Sequence, residues 1–340
     1  MGLIQSPWLL MGGSRLPIPA LDLNFLSGAL DPSIAFTRAA GPATYFDSSG
    51  TLRTAAVNLL TNSQAINSWP TKTDITVVDN NTTSPDGTAN ASRVTEGVAG
   101  NAFATSNLAT VAAGATVTGS VFVKRGNTDW FKLIVADTTG AANGLNVYVN
   151  IATGTIGTVS ARGTATGVSG SVQSIGNGWY RVVGTCTLPG GSTTAGVLCA
   201  SATGDNNATR VNNAQYYLWG GQVEVGTNAS TYIPTTTAAS GAARFDYDPA
   251  TLQPRGLLIE EARTNILLNS ATLGTQSVAV TAVPWALSFY DTGTIALSGA
   301  YTGSLVGAGP FPARASLIFT PAAGTLTLTV SGSVRYAQLE

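Results

Sequence analysis

Turn-forming residues punctuate the chain so often that a long helix has little room to form. Pro85-Asp86-Gly87, Gly140, Gly154, Gly176-Asn177-Gly178 and Pro189-Gly190-Gly191 interrupt it, and the runs between are rich in Val, Ile, Thr, Tyr and Trp. Such side chains suit a pleated strand, where they pack against cross-strand neighbours. Leu145, Val147, Val149 and Ile151 alternate with Asn146, Tyr148 and Asn150, the period of a half-buried strand. Leu326, Leu328 and Val330 alternate with threonines in the same way. The expected fold is all-β, with tandem antiparallel β-sandwich modules of jelly-roll type. Only Leu257 to Arg263 could make a helical turn or two.

An internal repeat sets the organisation. Asn58-Leu59-Leu60-Thr61-Asn62-Ser63 returns as Asn265-Ile266-Leu267-Leu268-Asn269-Ser270, and Gln222-Val223-Glu224 returns as Gln338-Leu339-Glu340. Similar strands therefore open and close two modules, a large sandwich at residues 58–236 and a small one at 265–340. Related lead-ins precede them, Ala43-Thr44-Tyr45-Phe46-Asp47 and Ala243-Arg244-Phe245-Asp246. Residues 1–57 form an N-terminal docking segment on this reading, and residues 237–264 a connecting arm. Trp8-Leu9-Leu10-Met11 with Leu21, Leu23, Phe25 and Leu26 lies far in sequence from either module. Apolar surface of that size marks an interface, so a homo-oligomer is expected, with a trimer as first guess by analogy to fibres.

Composition narrows the function. With 16 basic against 17 acidic residues the net charge is -1, which gives no electrostatic footprint for nucleic acid or an anionic membrane. Charged residues are 10% of the chain, and Gly, Ser, Thr, Asn and Ala supply most of the polar surface. The chain has 0 histidines, which removes the commonest general base and metal ligand and every Ser-His or Cys-His nucleophile. No apolar run reaches the roughly 18 residues needed to span a bilayer, so membrane insertion is not expected. The opening MGLIQSPWLLMGG lacks a basic segment before Arg15, and a cleaved secretory signal is not expected either. Cys186 and Cys199 are too few for a disulfide framework; they either pair across a hairpin near Gly191 or remain buried thiols.

Several segments together resemble bacteriophage and prophage virion proteins of the tail-fibre or head-fibre type, with concanavalin-like or carbohydrate-binding-module-like sandwiches. They are Asp31-Pro32 with Phe36-Thr37-Arg38-Ala39, residues 43–58 (ATYFDSSGTLRTAAVN), 176–182 (GNGWYRV), 217–226, Tyr232-Ile233-Pro234-Thr235 and 243–265 (ARFDYDPATLQPRGLLIEEARTN). The resemblance implies a structural or host-contacting protein on the virion surface, joined to other virion proteins, and supplies no catalytic residue. The small module departs from it, because Glu340 comes before any counterpart of Tyr232-Ile233-Pro234-Thr235.

Strand parity gives one candidate site. Phe131, Leu133 and Val135 read as inward, leaving Trp130 and Lys132 outside. Tyr180, Val182, Cys186 and Leu188 read as inward, leaving Trp179 and Arg181 outside. With Asn146, Tyr148 and Asn150 these make a face of aromatics, amides and cations. Sugar rings stack on aromatic planes, while amides and guanidinium groups bond their hydroxyls, so the face could hold a host glycan. A neighbouring module or subunit could equally cover it, since aromatics and Arg are enriched at interfaces. The carboxylate pairs Asp246 with Asp248 and Glu260 with Glu261 read as solvated or capping groups. Asp79-Asn80-Asn81 and Asp205-Asn206-Asn207 could ligate calcium or simply make turns. No catalytic residue, cofactor or metal site is assigned, and an enzyme, one that degrades glycans, is the distant alternative to an adhesin or a decoration protein.

Overall fold

The computed structural model describes residues 24–31, 34, 36–41, 43–98, 100–138, 142–260 and 264–340. The apolar residues Trp8 to Met11, Leu21 and Leu23, the first part of the expected docking segment, lie outside them. The chain is nearly all β: among the described residues the helical segments are three short 3-10 turns. It divides into two compact units, one ending at Leu258 and the other beginning at Ile259.

The first unit opens with β1 (Thr44–Phe46), β2 (Leu52–Thr54) and β3 (Val57–Asn58). The sandwich follows as β4 (Thr71–Thr73), β5 (Ile75–Thr82), β6 (Ala91–Glu96), β7 (Phe103–Thr105) and β8 (Ala109–Thr110). Next come β9 (Thr116–Arg125), β10 (Trp130–Ala136), β11 (Gly144–Asn150) and β12 (Thr155–Arg162). It ends with β13 (Thr166–Gly176), β14 (Trp179–Thr187), β15 (Thr194–Ala202) and β16 (Gln215–Val225). These strands make two antiparallel sheets, β12-β11-β10-β15-β7-β4 with β8 beside β15, and β13-β14-β9-β16-β6-β5.

Alternation explains the core. Phe131, Leu133 and Val135 from one sheet meet Val121, Val182 and Leu218 from the other, all buried, together with Leu145, Val147 and Val149. The sheets approach so closely that two inward positions have no room for a side chain. A Cβ on Gly119 would come within 2.6 Å of Val135, and one on Gly184 within 3.0 Å of Val147. Cys186 and Cys199 are buried free thiols, one in each sheet.

Residues 237–258 belong to this first unit. β17 (Ser240–Gly241) pairs with β3, and β18 (Phe245–Tyr247) forms a hairpin with β19 (Pro254–Leu257). The segment expected as a helical turn thus begins on the last residue of a strand, and Glu261 to Arg263 lie outside the described residues.

The second unit is a smaller sandwich of β20 (Gln276–Val280), β21 (Trp285–Tyr290), β22 (Thr294–Gly299) and β23 (Gly303–Val306), followed by β24 (Ala315–Phe319), β25 (Gly324–Ser331) and β26 (Arg335–Leu339). Its sheets run β20-β25-β22-β23 and β24-β21-β26. Leu287, Phe289, Leu326, Leu328 and Leu339 fill its core.

Candidate functional site

Five of the seven candidate residues share the outer face of the seven-stranded sheet. Ala200, Lys132 and Tyr148 lie in register across β15, β10 and β11, with Trp130 opposite Asn150 one step away. The connection after β15 closes against this face. Asp205 accepts the Thr158 amide (2.6 Å) on β12, and Arg210 donates to the Ala102 carbonyl (2.7 Å).

That arrangement leaves Lys132 and Tyr148 each only 3% exposed, with the ammonium 5.7 Å from the ring centroid. Desolvation, then the charges of Arg210 and Arg162, bring the Lys132 ammonium down to about 8. Burial likewise raises the Tyr148 phenol. Both amides are committed locally. Asn146 donates to Ser160 (3.2 Å) and accepts from Arg162 (3.1 Å), while Asn150 caps the amides of Ala152 and Thr153.

Trp179 and Arg181 belong to β14, in the other sheet, so they sit on the opposite outer face of the sandwich. The expected single face of seven residues is therefore two faces. Trp179 packs with Ala91, Phe122 and Trp219, and its ring nitrogen donates to the Thr83 carbonyl (3.0 Å). Arg181 is 8% exposed and donates to Ser120 Oγ (3.0 Å) and the Ser230 carbonyl (2.7 Å), with its guanidinium 5.3 Å from the Phe122 ring centroid.

Beside Arg181 lies a groove of about 350 Å³ lined by Ser169, Ser171, Gln173, Thr185, Thr227 and Asn228. β13 builds one wall by alternation: Val168 and Val172 pack on the core, which turns Ser169, Ser171 and Gln173 outward. The same parity rule applied to β13 would have found them. Small ligand sites begin at about 300 Å³. Hydroxyls, amides and one guanidinium converge here, a donor and acceptor set suited to a hydroxyl-rich ligand.

The remaining acidic candidates are engaged in local structure. Asp79 accepts from Ser92 (2.5 Å) and the Asn67 amide (3.1 Å). Asp246 accepts the Phe46 amide (2.8 Å), while Asp248 accepts the amides of Ala250 and Thr251 and pairs with Arg255. Glu260 is described and Glu261 is not. Among the described residues no group of three or more acidic or thiol side chains is placed to hold a metal.

No protein-family model matches this chain, and no curated protein matches it in sequence.

Proposed function

We propose that this chain is a structural protein of a phage virion surface, of the fibre or spike type, and that its large sandwich contacts host glycans. The observation that carries the glycan contact is the polar groove beside Arg181. Its exposed Ser169, Ser171, Gln173 and Asn228 offer hydroxyls and amides over a guanidinium already fixed by Ser120. The virion setting rests on the segments that resemble fibre proteins and on a surface poor in charge; assembly as a homo-oligomer is part of the same reading.

The test is a glycan array probed with the full chain, followed by Gln173→Ala and Asn228→Ala. Both side chains are exposed, so the fold survives their loss. Reproducible binding weakened about fivefold or more by each substitution supports the groove, on the scale of about 1 kcal/mol per hydrogen bond. An array without reproducible binding, or binding that both variants keep, overturns it.

A second reading, a decoration protein acting through protein contacts alone, is favoured by one observation. The face of the small sandwich around Arg314 is open, with Tyr336 60% and Phe311 53% exposed.

A further inference from the structure

Lys132 and Tyr148 carry polar groups that the large sandwich buries without giving them a partner. They stand opposite each other on β10 and β11, on the outer face of the seven-stranded sheet, and each is 3% exposed. Among the described residues neither the ammonium nor the phenol hydroxyl makes a hydrogen bond, and the ammonium meets only the Tyr148 ring. A buried polar group ordinarily finds a partner, and a buried cation is costly without an anion. Neither tip belongs to the polar atoms sealed from solvent without a partner, so both still reach it.

The surroundings set the sign of what is missing. On the β15 side the neighbours of Trp130 and Lys132 are Ala202 and Ala200, which offer no polar side chain. From β12, Arg162 donates to Asn146 Oδ1 (3.1 Å), two residues along β11 from Tyr148. From the connection after β15, Arg210 donates to the carbonyls of Ala102 (2.7 Å) and Ser201 (3.3 Å), the latter next to Ala200. Both guanidinium groups are near enough to act on the Lys132 charge, and among the described residues no carboxylate is. The acids of the neighbourhood are engaged elsewhere. Asp205 accepts the Thr158 amide (2.6 Å) and hydroxyl (3.0 Å), and Glu96 is held on the core side by Ser201 and Tyr216. Trp130 and Asp205 meet over β12, where a Cβ on Gly157 would come within 2.8 Å of the Trp130 ring and would also strike Asp205.

We infer that the space over Lys132 and Tyr148 is a binding site for a small carboxylate. One oxygen accepts from the Lys132 ammonium and the other from the Tyr148 hydroxyl, while Arg162 and Arg210 add a positive field. A single unpaired positive charge beside a neutral donor suits a monovalent group with two acceptor oxygens, and a carboxylate is that group. Its bond to a buried cation is stronger than the same bond in water, because the surroundings screen it less. The carboxylate is that of a free acid or the one a uronic sugar carries. The site lies on the sheet opposite the groove beside Arg181, so it stands whether or not that groove binds a glycan.

The probes are sodium acetate and sodium glucuronate, each compared with sodium chloride at equal ionic strength and pH 7 in calorimetric melting of the full chain. We expect at least one of the two to raise the transition of the large sandwich by about 2 °C or more over chloride, the scale of a ligand well above its dissociation constant. A rise with glucuronate assigns the site to an acid borne on a sugar, and a rise with acetate alone to a free acid. Lys132→Met, which keeps the length of the stem, abolishes the rise, and Tyr148→Phe, which keeps the ring, at least halves it. Gln173→Ala, in the groove on the other sheet, leaves it unchanged. Equal melting in both carboxylates and chloride overturns the inference. So does a rise that Lys132→Met or Tyr148→Phe keeps in full, which would be a general salt effect, or one that Gln173→Ala abolishes.

Discussion

Asn265 makes in the small sandwich the bonds that Asn58 makes in the large one. The Asn58 side-chain oxygen accepts the amides of Leu60 (3.1 Å) and Val223 (3.2 Å), and that of Asn265 accepts those of Leu267 (3.1 Å) and Leu339 (3.0 Å). Each side-chain amide then donates to the carbonyl two residues before the clasped strand position, Gly221 or Ala337. One asparagine therefore ties the opening segment of each module to its closing strand.

The two differ in burial, which sets what their loss costs. Asn58→Ala removes a fully buried side chain and strands two amides and two carbonyls where water does not reach, a cost of about 3 kcal/mol or more. Asn265 is half-buried, so water replaces part of what its alanine variant loses, and about 1 kcal/mol is expected. Calorimetry of the full chain should show Asn58→Ala lowering the transition of the large sandwich more than Asn265→Ala lowers that of the small one. Equal costs would mean that burial does not govern these clasps.

Both asparagines were legible in the sequence, because the repeat that carries them is short, opens on the asparagine and stands at the same end of both modules. The pairing of Arg181 with Ser120, which Arg314 and Ser288 repeat in the small sandwich, was not, since each joins positions far apart in the chain. Parity named the inward residues of β10, β11 and β14, because a period of two fixes which side of a strand a residue occupies. It cannot say which sheet the strand joins. Trp179 and Arg181 therefore fell on the opposite side from Lys132 and Tyr148. Nor does parity reveal what crosses a face, and here the connection after β15 and residues 230–233 decide exposure.

Glu96 on β6 reaches across the core to β15, where it accepts the Ser201 amide (2.6 Å) and hydroxyl, and it also accepts the hydroxyl of Tyr216 on the adjacent β16 (3.0 Å). Burial raises its carboxyl above the ordinary value of 4.5, although these bonds and Arg210 act the other way. For an acid raised in the fold, the stabilising contribution is fully present below the unfolded value and is lost as pH rises through the folded one. Glu96→Gln does not titrate. The stability of the wild type relative to this variant should therefore rise as pH falls from 7.5 towards 4.5, read by urea unfolding at each pH. A difference flat across that range would show that Glu96 has the same affinity for its proton folded and unfolded.

Cys186 and Cys199 face the core from different sheets, and burial raises both thiols, Cys186 to about 11. The thiolate is the reactive form and access is closed. A chromogenic disulfide reagent should titrate neither thiol in the native chain within minutes and both in denaturant. Rapid reaction of one equivalent in the native state would contradict the burial.

Lys132 is a charge the fold tolerates at a cost. Its ammonium lies beneath the connection after β15, next to the Tyr148 ring, with Arg162 and Arg210 adding like charge and no carboxylate paired with it among the described residues. Lowering its pKa from 10.5 to about 8 corresponds to a penalty of about 3 kcal/mol wherever the unfolded chain carries the proton. For a base depressed in the fold, the contribution is most favourable above the unfolded value, falls as pH drops from 10.5 to about 8, and stays at its worst below that. Lys132→Met keeps the length of the stem and removes the charge, so it should raise stability at pH 7 by about 1 to 3 kcal/mol. The gain should shrink towards zero as pH approaches 10.5. Guanidinium unfolding of both proteins at pH 7 and pH 10 measures it, and a methionine variant less stable at pH 7 would mean that the ammonium finds a favourable partner on that face.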